Sequence, residues 1–362
     1  MASEGSARAW EALVGRAMQV ETPEAVVNDA WRSLIVGSFM LLKGDNICYS
    51  AGNQYEKLYV NEGGDAAKSL LLWGYAAEAK RMITPLMDYQ RKGLLFHQAG
   101  LKLQLLSKYY WLTRDAQFLK DQRDRWMLQV SRIIDGREKD TGLFPREQYC
   151  GDIDKPAYSL NSNSNAWRGL RDFGAVLEDM AERDEAKRLL QVAGEFRPVI
   201  LAAVDKSVRR DVQPPFVPIA LFGEEQPYEA LTATRLGGYW DLMAPLILGS
   251  GVLGDESDKT KWILDYLQQR GGLCMGMVRV HPQNEMYTVK QGTHDLYSLR
   301  YVLTLLRRDE VDRALVTFYG KLAQGFTRDT FIDGESAGLV PWDQYGRPTY
   351  LPPNSAANTG EQ

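Results

Sequence analysis

Apolar side chains recur three and four positions apart through most of the chain, which is the spacing that gives a helix one buried face. The segment PEAVVNDAWRSLIVGSFMLL, residues 23–42, starts on a proline suited to a first helical turn and carries Val27, Trp31, Leu34, Ile35, Ser38 and Leu41 on one stripe. DAAKSLLLWGYAAEAKRMITPLMDYQ, residues 65–90, is interrupted by Gly74 and Pro85, so it predicts an inner helix over 66–75 followed by an outer one over 76–90. Further periodic stretches predict helices over 96–113, 115–135, 162–181, 184–206, 228–248, 257–270, 294–307 and 309–324. Nothing alternates over strand length, so the class expected is all-α.

Connection lengths then choose among helical arrangements. The turns at TRD (113–115), AERD (181–184) and RRDE (307–310) are tight, whereas 43–64, 136–161, 207–227, 271–293 and 325–357 are long. With helices paired as above, every long connection falls at one end. That predicts an (α/α)6 toroid of helical hairpins, one domain over residues 1–362, with a plain face and an elaborated mouth. A solenoid would show matching sequence at a fixed period, and none is present. Inner helices opening near 66, 96, 162, 228 and 294 make five, and NSAAN near the end would cap a sixth. The last hairpin is accordingly expected to be missing, shortened, or beyond residue 362.

Composition narrows the partners. In 362 residues, 43 basic and 47 acidic side chains are interleaved to a net charge of −4, so no basic footprint for nucleic acid or anionic membrane is expected. The longest apolar run, near Leu70 to Trp73, is too short to span a bilayer, and MASEGSARAW has no secretory signal pattern. Cys48, Cys150 and Cys274 are too sparse for a disulfide framework or a zinc site and read as reduced thiols. The three histidines show no i, i+4 pair, so no metal or other cofactor is expected from them, while a carboxylate calcium site at Asp152 and Asp154 stays open.

The mouth loops collect acids and aromatics: Asp45, Tyr49, Asn53, Tyr55, Glu56, Tyr59 and Glu62 in the first, Glu147, Tyr149, Asp152, Asp154 and Tyr158 in the second. The fourth brings His281, Gln283, Asn284, Glu285 and Tyr287, and the last, FIDGESAGLVPWDQYGRPTYLPPNSAANT, brings Asp333, Glu335, Trp342, Asp343 and Tyr345. Rings stack on the apolar faces of sugars, amides and carboxylates take their hydroxyls, and glycosidic cleavage needs a protonated acid opposite a carboxylate. Carbohydrate is therefore the substrate class expected. His97 and His294 at helix starts, and Trp167 and Arg168 inside an inner helix, are further candidate contacts; Trp10, Trp31, Trp111 and Trp126 read as packing residues.

The order of these features resembles the six-hairpin glycosidases, most nearly the catalytic domain of bacterial α-L-rhamnosidases. NQYEK followed by NEGGDAAKSLLLWGY stands where that family has a polar segment ending RDER and then GWTGDA, and LAQGFTRDTFIDGE stands where it has G-x-T-T and its second catalytic Glu. Gln54 replaces the family's Arg and Ser50 its Asp, so the groups that grip rhamnose are not reproduced. The resemblance implies an inverting glycoside hydrolase, with Glu335 as base and Glu62 or Glu56 as acid, roughly 6.5 to 9.5 Å apart. By their place in the mouth loops and at the helix starts, Asn53, His97, Asp152, Asp154, Tyr158, Trp167, Arg168, His294, Asp333, Trp342 and Tyr345 are the candidate sugar contacts, and whether flanking β-domains or a partner chain belong to the native protein stays open. Two other classes stay open: a lyase or epimerase on uronic sugars, using Tyr158 or Tyr287 with His281 or His294, and a helical scaffold that binds sugar without turnover.

Overall fold

The structure, a computed structural model, describes residues 2–51, 55–279, 292–294, 297–327, 330–332 and 337–338. Helix α1 (Ala2–Val14) packs on α2 (Ala25–Met40), and a two-residue hairpin, β1 (Leu42–Lys43) with β2 (Asn46–Ile47), leads to α3 (Val60–Leu72) and α4 (Ala76–Asp88). Next come α5 (Leu95–Thr113), the short α6 (Ala116–Asp121) and α7 (Arg123–Asp135), and then the hairpin β3 (Glu147–Cys150) with β4 (Ile153–Ala157). Helices α8 (Leu160–Asp179), α9 (Arg183–Ser207), α10 (Arg235–Ser250) and α11 (Asp258–Gln269) precede β5 (Leu273–Cys274) with β6 (Met277–Val278). Strand β7 (Gly292–Thr293) pairs with β8 (Ala337–Gly338) across α12 (Ser298–Arg307) and α13 (Val311–Gly320), the latter continued by a π turn over Lys321–Gly325.

Helices α3, α5, α8, α10 and α12 contact one another in that order and form the inner wall, each backed by the helix that follows it, with α7 backing α5. The ring closes between α12 and α3, where Arg300 bridges to Asp65 at 2.9 Å. Inner helices are buried almost all round, and the core lies between the two layers, filled by Trp73, Tyr109, Phe173, Phe196, Trp240 and Tyr266. At the crossing of α5 and α8 the backbones meet directly. A Cβ on Gly100 would strike the carbonyl of Asn165, and one on Gly169 would lie 2.6 Å from the carbonyl of Gly100.

The helical class and the toroid expected from the pattern are what the structure shows, and among the described residues five inner helices begin at its mouth. Four details differ. Helix α1 has no counterpart among the expected elements. The stretch 115–135 is broken at Gln122, because Asp115 caps α6 through the amide of Phe118 at 3.0 Å and a second helix restarts at Arg123. The expected 228–248 helix starts at Arg235, with Thr234 as its N-cap. Short strands do occur among the described residues, as four two-stranded sheets, three of them hairpins; most of their strands are two residues long, too short to register as alternation.

The plain end is closed by turns whose left-handed residues carry side chains: Arg114, Ala181 and Asp309 have φ of 56°, 62° and 59°. All three fall in the tight turns read from TRD, AERD and RRDE, where an αL residue lets the chain reverse after a helix.

Candidate active site at the toroid mouth

The N-terminal turns of the inner helices converge on a cavity of 90 Å³ at the mouth. From α3 come Tyr59, Asn61 and Glu62; from α5, His97 and Gln98; from α8, Asn161 and Ser162; from α10, Tyr239 and Met243; Tyr297 precedes α12. The β3–β4 hairpin closes one side with Tyr149, Cys150 and Asp152, and Arg91 lies beside it. Convergence follows from topology, since every long connection enters an inner helix from this end.

The polar start of α8, NSNSN, is accounted for atom by atom. Ser159 caps the helix through the amide of Ser162, Asn163 donates to the carbonyl of Ser159 and accepts from the amide of Phe144, and Asn165 donates to Asn161. Ser162 donates to Glu147 at 2.7 Å, and Glu147 accepts the amides of Phe96 and His97 at 2.9 and 3.3 Å. That carboxyl thus closes the N-terminus of α5 from beneath the cavity. Burial pushes it up to about 7, against the three hydrogen bonds that favour its charged form.

Beside it the imidazole of His97 is pushed down to about 4, by burial first and by the nearby Arg300 guanidinium second. It is a neutral ring whose buried Nδ1 has no hydrogen-bond partner. Asp152 sits at the rim, where it accepts from the Tyr239 hydroxyl at 3.3 Å while its carbonyl accepts from Arg235 at 2.9 Å. Arg91 donates to the Gly151 carbonyl at 2.5 Å and stands over the Tyr59 ring. Burial raises Cys150 to about 12, which makes it an inert thiol.

Of the residues expected from sequence, the structure brings Glu62, His97 and Asp152 to one cavity. The others that it describes lie elsewhere. Glu56 pairs with Lys43 at 2.7 Å and is absent from the cavity wall, whereas Glu62 lines it. Asp154 is exposed and accepts from Gln148; Tyr158 donates to Glu138 and packs on Phe222. Trp167 faces outward and donates to the Ala193 carbonyl, and Arg168 pairs with Asp172 at the far end of the axis. His294 is buried behind the wall, its ring 6.0 Å from that of Tyr297. Asn53, Asp333, Glu335, Trp342 and Tyr345 lie outside the described residues, as do Tyr287 and His281.

Among the described residues no group of three or more His, Cys, Asp or Glu side chains is placed to hold a metal; Asp152 accepts from Tyr239 and Asp154 from Gln148. Arg91, Tyr239 and Asn161 were missed as cavity residues. YQRKG around Arg91 has no period to mark it, Tyr239 sits inside the predicted 228–248 helix, and Asn161 ends the predicted 136–161 connection with neither charge nor ring to single it out. A larger hollow of 340 Å³ between α2 and α13 is lined by Val27, Trp31, Leu34, Val302, Phe318 and Leu322, and offers no carboxylate for chemistry.

No protein-family model matches the chain, and no curated protein does. Solved structures do. A wild-type glycosidase superposes with a TM-score of 0.67 at 13% identity, over 93% of this chain and 95% of that one. The cellobiose 2-epimerase of Bacillus thermoamylovorans B4167 gives 0.61 at 12% identity, over 93% and 96%. A rhamnosidase from Klebsiella oxytoca with rhamnose bound gives 0.61 at 10% identity, over 96% of this chain and 64% of that one. The fold is therefore that of the six-hairpin (α/α)6 glycosidases. At these identities the likeness is one of fold.

Proposed function

We propose that this chain is a glycoside-processing enzyme working at the toroid mouth, and specifically an inverting glycoside hydrolase. The observation that carries the reading is the convergence of Glu62, His97, Asp152 and four tyrosines on one cavity at the N-termini of the inner helices. Glu62 is the proton donor, and Glu335, carried by the long C-terminal loop, is the base. Asp152, held at the rim by Tyr239, takes a sugar hydroxyl.

An acid must hold its proton near neutral pH, and the first turn of α3 works against that. A helix N-terminus stabilises a carboxylate by about 0.3 to 1 kcal/mol, under one pKa unit. Desolvation acts the other way by up to roughly 3 to 5 units. The acid role of Glu62 therefore requires a sugar that seats against Tyr59 and excludes water from the carboxyl.

The test is turnover of aryl glycosides and oligosaccharides, including α-L-rhamnosides, with product anomer followed by proton NMR. Inverted product from the wild type, reduced at least ~1,000-fold in Glu62→Gln and in Glu335→Gln, is expected. Wild-type activity retained by both variants overturns the assignment.

One observation favours a second reading, an epimerase. His97 lines the cavity with a buried Nδ1 that has no hydrogen-bond partner, a lone pair placed to take a proton from a bound sugar. In that case incubation in D2O labels the sugar at the inverted carbon, and His97→Asn, not Glu62→Gln, abolishes the reaction.

A further inference from the structure

A second cavity, of 240 Å³, lies on the toroid axis below the mouth, toward the plain end. The same five inner helices line it, one to three turns further along. Its walls carry Lys68, Lys108, Arg168, Arg300 and Arg307 against only Asp65 and Asp172. Among the described residues the lining thus carries five cations against two carboxylates, in a protein whose net charge is −4.

Part of this excess has an internal explanation. Inner helices end here, and cations favour helix C-termini. Arg168 donates to the carbonyls of Gly249 and Ser250, both at 3.2 Å, and Arg307 donates to that of Leu248 at 3.3 Å and pairs with Asp255. The α10 terminus thus absorbs two of the five. The rest is less balanced. Lys68 and Arg300 share one carboxylate, Asp65, at 3.0 and 2.9 Å, and their side chains are only 13% and 12% exposed. Burial opposes ionisation of Asp65, yet the two cations hold its carboxyl below the usual range, so its single charge is fully engaged. Lys108 enters the same space from α5.

We propose that this far-end cavity is a binding site for a small tetrahedral oxyanion, phosphate or sulfate in chemistry. Such an ion fits the volume, which equals that of roughly eight waters, and offers several acceptors to lysine and arginine donors. Trp111, read from the sequence as a packing residue, is 41% exposed and walls this cavity with its indole. The site is separate from the mouth chemistry and does not depend on it.

The experiment is a titration of the full chain with sodium phosphate, read by thermal unfolding and by calorimetry, beside sodium chloride at matched ionic strength. Phosphate is expected to raise Tm saturably and chloride not. Lys108→Gln, a half-buried position tolerant of change, and Arg168→Gln are each expected to weaken phosphate binding about tenfold or more, while Glu62→Gln binds as the wild type does. Equal responses to phosphate and chloride overturn the proposal, as does unchanged phosphate affinity in both cavity variants. If either variant is unfolded, the wild-type comparison between the two salts decides alone.

Discussion

Glu147 shows how one buried side chain can serve the site without being legible as part of it. The sequence places it among loop acids. The structure puts it under the mouth, bonded to two amides of α5 and to Ser162. Its folded pKa, about 7, exceeds the ordinary value of 4.5, so the folded state favours the protonated form. Its contribution to stability is then full below about 4.5 and lost as pH rises through 7, an effect of up to about 3 kcal/mol. His97 acts in the opposite sense, since its lowered pKa costs stability as pH falls from 6.5 toward 4. The wild type compared with Glu147→Gln isolates the first effect. The stability difference between them is expected to shift in favour of the variant as pH rises from 4.5 to 7.5, measured by thermal unfolding across that range; a pH-independent difference contradicts it.

Lys102 makes the same point. It lies inside the stripe of α5 yet is fully buried, donating to the carbonyls of Met87 and Tyr89 at 2.8 and 2.5 Å where α4 ends. Burial pushes it down to about 8. Periodicity cannot distinguish a lysine that snorkels to solvent from one that caps a neighbouring helix, because the difference lies in the partner element. Glu225 is equally unmarked in the sequence, although it joins Tyr149, Tyr228 and the amides of Ile219 and Ala220 in one buried knot beneath the hairpin.

At the scale of elements, the helices were legible because each buries one face, and hydrophobic spacing reports that directly. The break at Gln122 was not, since it depends on a cap at Asp115 and on the Gln122 amide reaching Thr84 at 3.1 Å. Helix α1 depends on contact with α2 and on the Tyr75 hydroxyl bonding the Leu13 carbonyl at 2.7 Å, a partner 62 positions away. Close approach of α5 and α8 is similarly long-range, since it rests on Gly100 lying directly against the backbone of Asn165. Gly100→Ala gains helix propensity of about 1 kcal/mol but drives a methyl into a backbone carbonyl that cannot yield without moving the helix. The clash wins, and a net loss of about 2 kcal/mol or more is expected in urea unfolding. Gly194, exposed on α9 with nothing within 4 Å of an added Cβ, is the control, where alanine is expected to be neutral or stabilising.

For the whole molecule, the alternation of long and short connections carried the most information. It placed every elaborated loop at one end before any contact was known, and the inner helices do open there. It could not say which loop residues reach the axis. Glu56 and Glu62 are six positions apart, but only the second stands inside the first turn of α3, where the helix aims it at the cavity, while the first is drawn away by Lys43. Trp167 and Arg168 are adjacent, and the helix turns one toward α9 and the other toward the axis.

The central claim is that sugar binds at the mouth against Glu62. It is tested most directly by a crystal structure of Glu62→Gln soaked with the best glycoside from the turnover panel. The account predicts density for the sugar within hydrogen-bond distance of residue 62 and Asp152, with a ring face on Tyr59 or Tyr239. Sugar bound only in the far-end cavity or on the outer helices would contradict it.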